Sequence, residues 1–236
     1  MRVLVTRPKL SAARTAERLI SMGHEPVLLP LSKAVHHPRK AAEALLLPHA
    51  ALAVTSAEAL RAIAAPEIRS AIDLGKPLFA VGDATAAAAR SAGFGEVHAG
   101  AGDGQDLADL IAGSTVDLGD GILYLAGRPR ARTFEERLEA LGLPLRIAEV
   151  YEMAPVDYQP ADLVDIFLTS RPGAVLLYSR ENTQRFFDLA APYAAALADM
   201  QIFCMSDRTA AKVPAEYHRH VRVAEAPSED ALLTLL

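Results

Sequence analysis

Short apolar runs alternate with longer amphipathic stretches along the whole chain. Residues 2–6, RVLVT, form an apolar, β-branched run. SAARTAERLISMG follows, with Ala12, Ala16, Leu19 and Ile20 at helical spacing and Gly23 where a helix stops. PVLLP then reads as a second strand. Strand, helix, strand is the pattern of a parallel sheet with crossover helices. The alternation continues with ALAVTS, a strand ending at Thr55 and Ser56, and a helix from Ala57. PLFAV leads into GDATAAAARSAG, read as a tight turn, Thr85 and an alanine-rich helix. GEVHAG, GILYLAG, LRIAEVYEM, GAVLLYS, QIFCMS and VRVAEA read as further strands, and GQDLADLIAG, ARTFEERLEALG and SEDALLTLL as helices. The class is α/β throughout, with no low-complexity linker.

The same pattern occurs twice. LVTRP resembles LAGRP, pairing Arg7 with Arg128, and AERLISMG resembles EERLEALG, pairing Gly23 with Gly142. VTSAEAL resembles LYSRENT (Ser56 and Ser179), VGDATAAAA resembles MSDRTAAKV (Thr85 and Thr209), and GQDLADLI resembles SEDALLTL (Asp106 and Asp230). Each match is weak, but five in one order, 119 to 124 residues apart, are hard to obtain by chance. Two similar units imply two lobes facing each other across a cleft, with ligands beyond the carboxyl ends of the strands. The repeat taken alone places a cut near residue 120.

Composition narrows the class. Of 236 residues 51% are hydrophobic and 22% charged, and the net charge is −5. An acidic balance disfavours a general nucleic-acid binder. The single cysteine, Cys204, allows no intrachain disulfide and fits a reducing compartment. MRVLVTRP is too short an apolar stretch for a signal peptide or a membrane span, so a cytoplasmic protein is expected.

Ser56, Thr85, Ser179 and Thr209 follow strands at or near helix starts. Each can cap its helix, a contribution of about 0.5–2 kcal/mol, and helix starts with free N–H groups and hydroxyls also receive anions. Arg7 and Arg128 are matched cations at strand ends, and Arg130, Arg132 and Arg180 add charge nearby. Guanidinium forks suit carboxylate or phosphate. No phosphate-binding loop is present, and GAGDG at 100–104 lacks dinucleotide spacing. No metal site is expected: His36 and His37 are adjacent, and His218 and His220 alternate as on a solvent-facing strand. Tyr151 ends the strand EVYEM, whereas the matching LLPLS of the first copy has no tyrosine. That asymmetry suits a role performed once.

VLVTRP, VTSAEAL, AVGDATAAAARSAG, ILYLAGRP and EVYEM, in this order, resemble the uroporphyrinogen-III synthase family over essentially the whole chain. The resemblance implies two α/β lobes with parallel sheets flanked by helices, joined by a two-stranded β linker. The first lobe would hold about 1–32 and 153–236, and the second, inserted lobe about 33–152. The activity implied is a lyase reaction that cyclises hydroxymethylbilane to uroporphyrinogen III. Ring D is inverted, water is lost, and no metal or organic cofactor takes part. The enzyme would be a monomer with no membrane or nucleic-acid partner. Tyr151 matches the family tyrosine suited to assist hydroxyl departure. Thr85 and Thr209 match its paired threonines, and Ser56 and Ser179 its carboxylate-contacting serines. Arg7, Arg128, Arg132 and Arg180 are the cations expected for the substrate's eight carboxylates. Ser206 stands where the family usually has glycine, Tyr178 where threonine is frequent, and Pro214 cuts short the helix after Thr209. A non-catalytic two-lobed protein binding a small anion is the alternative, sharing the same anion-receptive helix ends.

Overall fold

The structure, a computed structural model, describes residues 1–236 apart from the side chain of Arg69. The chain forms two compact units: unit 1 holds Met1–Lys33 and Ala154–Leu236, and unit 2 holds Ala34–Met153. Unit 1 opens with β1 (Arg2–Val5), α1 (Lys9–Ser21) and β2 (Glu25–Leu28). The chain passes into unit 2 within β3 (Ser32–His36). There follow α2 (Pro38–Leu45), β4 (Ala51–Val54), α3 (Ala57–Ile63), β5 (Leu78–Ala80) and α4 (Asp83–Ser91). Unit 2 continues with β6 (Val97–Ala99), α5 (Gly104–Ala112), β7 (Ile122–Arg128), α6 (Thr133–Ala140) and β8 (Leu145–Pro155). The chain returns to unit 1 within β8 and adds α7 (Pro160–Val164), β9 (Ala174–Leu177), α8 (Arg180–Ala190) and α9 (Ala194–Leu197). It ends with β10 (Gln201–Cys204), α10 (Asp207–Ala210), β11 (Val221–Val223) and α11 (Glu229–Leu233).

The unit 1 sheet has the order β11-β10-β9-β1-β2 and is parallel throughout. The second sheet is ordered β6-β5-β4-β7-β8-β3, with parallel pairing from β6 to β8. β3 runs against β8: Val156 donates to the Leu31 carbonyl, and His37 donates to that of Val150. Parallel strands covered on both faces must be apolar on both, and β4 (ALAV) and β9 (AVLL) are fully buried. Alternate side chains serve opposite faces. Leu52 and Val54 pack with Ala41, Leu60 and Ala86, while Ala51 and Ala53 pack with Leu107, Phe134 and Leu138. In unit 1 Leu4 joins Phe186 and Phe187, whereas Val3 and Val5 join Leu19 and Leu232.

The repeat is visible in space. β1, β2, β9, β10 and β11 occupy the same order in one sheet as β7, β8, β4, β5 and β6 in the other. Matched helix ends use the same device. Gly23 (φ +82°) follows α1 with His24 donating to the Leu19 carbonyl at 2.8 Å. Gly142 (φ +69°) follows α6 with Leu143 donating to that of Leu138 at 3.0 Å. A left-handed residue there satisfies late helix carbonyls. The sequence copies do not coincide with the units, however. LVTRP of the first copy lies in unit 1, while VTSAEAL, VGDATAAAA and GQDLADLI of that copy lie in unit 2. The reason is pairing: β1 needs a neighbour on each edge, and Val3 pairs with Ala174, from the second copy. A cut near 120 therefore falls inside unit 2.

Two local readings change, and a third, the short helix before Pro214, holds. The alanine-rich helix starts at Asp83 behind Gly82, so Thr85 is its third residue rather than its cap. His218 and His220 lie on a helical turn, Ala215–His220, not on a strand, and the His218 ring bonds the Val213 carbonyl at 2.8 Å. α10 stops at Ala210, four residues before Pro214.

Candidate functional site

In each sheet, chain connectivity reverses direction beside the central strand: between β4 and β7 in unit 2, and between β9 and β1 in unit 1. Loops leave such a point to opposite faces and open a crevice at the carboxyl ends of the strands. At the end of β4, Ser56 accepts from the Glu58 amide at 3.1 Å and caps α3, and Thr55 bonds the Tyr124 hydroxyl at 2.7 Å. Beside it β7 ends in Gly127 and Arg128. Here the β7–β8 register shifts, so that Ala126 faces Glu149 but Gly127 faces Tyr151. The bulge leaves Val150 as the extra residue and aims Tyr151 across the strand end.

The Tyr151 ring lies directly over Gly127. A Cβ at 127 would come within 2.6 Å of its Cε2, and closer to Cζ and the hydroxyl. Gly127 is not among the positive-φ glycines, so the ring, rather than the backbone, requires the missing side chain. Tyr151 is 9% exposed. Burial raises its pKa; the nearby Ser56 hydroxyl opposes that rise without reaching hydrogen-bond geometry, and the Glu58 carboxylate reinforces it. The phenol therefore keeps its proton across the physiological range. It faces a cavity of about 170 Å³ shared with His37, Lys40, Arg128, Glu149 and Glu152.

The charges around this cavity are largely committed. Arg128 pairs with Glu152, whose pKa that hydrogen bond lowers. Arg130 meets Glu149 at 2.7 Å and Glu135 at 2.5 Å and donates to the Gly127 carbonyl at 3.2 Å, so it braces the strand end. The Arg130 bond also lowers the Glu149 pKa. Arg132 is exposed and stands 3.6 Å from Glu135.

Unit 1 places matched groups at matched positions. Ser179 caps α8, accepting from the Asn182 amide at 3.2 Å. Thr209, like Thr85, is the third residue of its helix and is buried. Ser206 and Thr209 hydroxyls lie 3.2 Å apart, whereas the Thr85 hydroxyl has no hydrogen-bond partner among the described residues. Arg180 is exposed at the first position of α8, with no ion-pair partner among the described residues. Arg7 departs from its expected role as an open cation. It pairs with Glu229 at 2.7 Å, and its guanidinium lies 4.5 Å from the Tyr178 ring centroid. Glu229 also accepts from Thr15 and, at 3.3 Å, from Tyr178. Burial works to raise the Glu229 pKa, but the bonds from Thr15 and Arg7 outweigh it and the net shift is downward. The Tyr178 pKa is pushed up to about 12 by burial and the Glu229 charge.

Residues 13–234 match the family model described as uroporphyrinogen-III synthase HemD. The chain belongs to the uroporphyrinogen-III synthase family. Its activity is that of a cyclising lyase of tetrapyrrole biosynthesis. The uroporphyrinogen-III synthetase of Helicobacter pylori shares the fold, with TM-score 0.66 and 16% identity over 100% of this chain and 98% of that one. A mutant uroporphyrinogen III synthase from the extreme thermophile Thermus thermophilus aligns with TM-score 0.54 and 18% identity over 99% of this chain and 96% of that one. No curated protein sequence matches the chain.

Against the uroporphyrinogen-III synthase reaction, the expected residues fall into groups. Tyr151 stands near Ser56 at the strand ends of unit 2 and shares its small cavity with Arg128. Thr85 and Thr209, and Ser56 and Ser179, occupy equivalent places in their own units. Arg7 is enclosed in an ion-pair network. Gly127, Lys40 and Glu229 are features that motif reading missed. Gly127 had a signal, the threonine at its repeat partner Thr6; Lys40 and Glu229 had none.

Proposed function

We propose that the chain converts hydroxymethylbilane to uroporphyrinogen III, with Tyr151 as the general acid for loss of the hydroxyl. The position of its protonated phenol, over Gly127 at the crevice of unit 2, carries this reading. The C–O bond breaks as the phenol proton passes to the departing oxygen, and water leaves. The azafulvene cation is then attacked by the substituted carbon of ring D. The spiro intermediate fragments and recloses, and the proton released on aromatisation returns to the phenolate. Directing that sequence is chiefly positioning. Ser56, Ser179, Thr85, Thr209, Arg128, Arg132 and Arg180 receive the carboxylates, while Arg7 supports them through its network. The enzyme works as a cytoplasmic monomer without metal or organic cofactor. Its one thiol, Cys204, is buried with its pKa pushed up to about 12 by burial, in keeping with a structural role.

The test uses fresh hydroxymethylbilane, with isomers I and III resolved after oxidation. Wild type gives isomer III, and Tyr151→Phe, with an unchanged circular dichroism melt, turns over at least several-fold more slowly. An unchanged rate in Tyr151→Phe removes the phenol from the mechanism. Isomer I alone from the wild type defeats the reading.

A further inference from the structure

The Tyr151 cavity continues into groups that no motif singled out. A second cavity, of about 700 Å³, is lined by His36, His37, Arg39, Lys40 and Glu67 among others. His37 and Lys40 line both. The acids on the smaller cavity already have cations: Glu152 holds Arg128 and Glu149 holds Arg130. His36 is bonded to Glu58 at 2.6 Å. Lys40 and Arg39 have no ion-pair partner among the described residues, and Glu67, which also lines the larger cavity, has none either. Lys40 thus stands as an uncommitted ammonium on the shared wall, with the Tyr151 phenol on the same small cavity. After the hydrogen bonds from their own arginines, Lys40 is a lesser cause of the lowered Glu149 and Glu152 pKa values. Those two carboxylates are held by their own arginines, so Lys40 can turn to a ligand anion.

We propose that Lys40, with the His37 ring as second donor, forms a carboxylate subsite that holds one acidic arm of the substrate beside Tyr151. This rests on the synthase reading above. The small cavity has room for a carboxymethyl or carboxyethyl arm, since a single water takes about 30 Å³. Arg39 stands farther out, on the larger cavity alone, and attracts the polyanion at longer range. The contact is made equally in the bound ground state and the transition state, so the subsite contributes to holding the substrate rather than to its turnover.

The test compares wild type, Lys40→Gln and Lys40→Arg in two assays. In steady state, Lys40→Gln raises KM about tenfold, the factor for one partly exposed charge-assisted contact, and leaves kcat within about twofold. Lys40→Arg recovers KM to within about threefold. The second assay reads binding without reaction. Quenching of uroporphyrin III fluorescence gives a Kd that Lys40→Gln weakens by a similar factor, more at low salt than at high. Coproporphyrin III, with half the carboxylates, loses less. Unchanged KM and uroporphyrin Kd in Lys40→Gln overturn the subsite, as does a fall in kcat at constant KM. If wild type instead produces only isomer I, the synthase reading fails whatever the Lys40 variants do, and the uroporphyrin titration still decides the subsite.

Discussion

Substituting Gly127 by alanine tests the placement of Tyr151 without removing its hydroxyl. The new Cβ would lie 2.6 Å from Cε2 and nearer still to Cζ and the hydroxyl oxygen, while ordinary contact begins at 3.4 Å. Cε2 must retreat by about 0.8 Å and the hydroxyl by more. The ring is buried, so the retreat disturbs packing around it, a cost of about 1–3 kcal/mol for inserted volume in a filled core. For a chain of this length that lowers Tm by about 3–10 °C. A misplacement near 1 Å at the proton donor costs about 10- to 100-fold in turnover. The assays are a thermal melt and the rate of isomer III formation. A second background isolates the cause. In Tyr151→Ala the obstructing atoms are gone, so Gly127→Ala then costs little, and the two substitutions are strongly non-additive, by about 0.5–3 kcal/mol. An equal cost of Gly127→Ala in both backgrounds refutes the reasoning, because the ring would not be what the glycine accommodates. A Gly127→Ala enzyme with wild-type melt and rate refutes it more directly.

Two further substitutions separate stability from function. Glu229→Gln removes the carboxylate that accepts from Arg7, Thr15 and Tyr178, a loss of about 1–3 kcal/mol at pH 7. The folded-state pKa of Glu229 is lowered, so its ionised form adds stability that is present above the ordinary carboxylate range and lost as pH falls through the depressed value. The gap between wild-type and variant melts therefore narrows below about pH 4, and a gap as wide at pH 2 as at pH 7 contradicts the assignment. Thr85→Val and Thr209→Val keep the branched shape and remove the hydroxyls, neither of which caps its helix. Turnover falls about tenfold with Tm within about 3 °C, on the scale of one hydrogen bond to a charged group; a shift in Tm alone makes both residues structural.

Legibility followed burial. β1, β4 and β9 read as strands because sheets covered on both faces require unbroken apolar runs, and α1 and α6 read as helices from their spacing and terminal glycines. β3, α2 and α7 went unread. In β3 one residue of five is buried, so its strand form comes from pairing with β8 and leaves little trace in SKAVH. α2 follows immediately in the polar, proline-bearing HHPRK, and Lys40 was hidden with it. At the site, Ser56 and Ser179 were legible as caps because strand-Ser-helix is a local signal. The fate of Arg7 was not, because Glu229 lies 222 residues away along the chain. No local pattern tells a free cation from one neutralised at that separation.

The two copies differ at the place where the proposed chemistry lies. Thr6 and Gly127 are repeat partners, LVTRP against LAGRP. In unit 1 Thr6 is fully buried and donates to the Leu176 carbonyl at 2.7 Å, so its side chain ties β1 to β9. In unit 2 the same place has no side chain, and the Tyr151 ring fills it. A threonine at 127 would put its Cβ inside the space of the ring, while a tyrosine in unit 1 would meet Thr6. The glycine and the tyrosine are therefore one coupled change, made in one unit. The hydroxyl and capping positions behave oppositely: Ser56 with Ser179 and Thr85 with Thr209 are retained in both. That division matches the demands of the reaction. A substrate with eight carboxylates needs many anion-receiving groups. The substrate loses one hydroxyl, so a second phenol at the place equivalent to Tyr151 would have no leaving group to protonate.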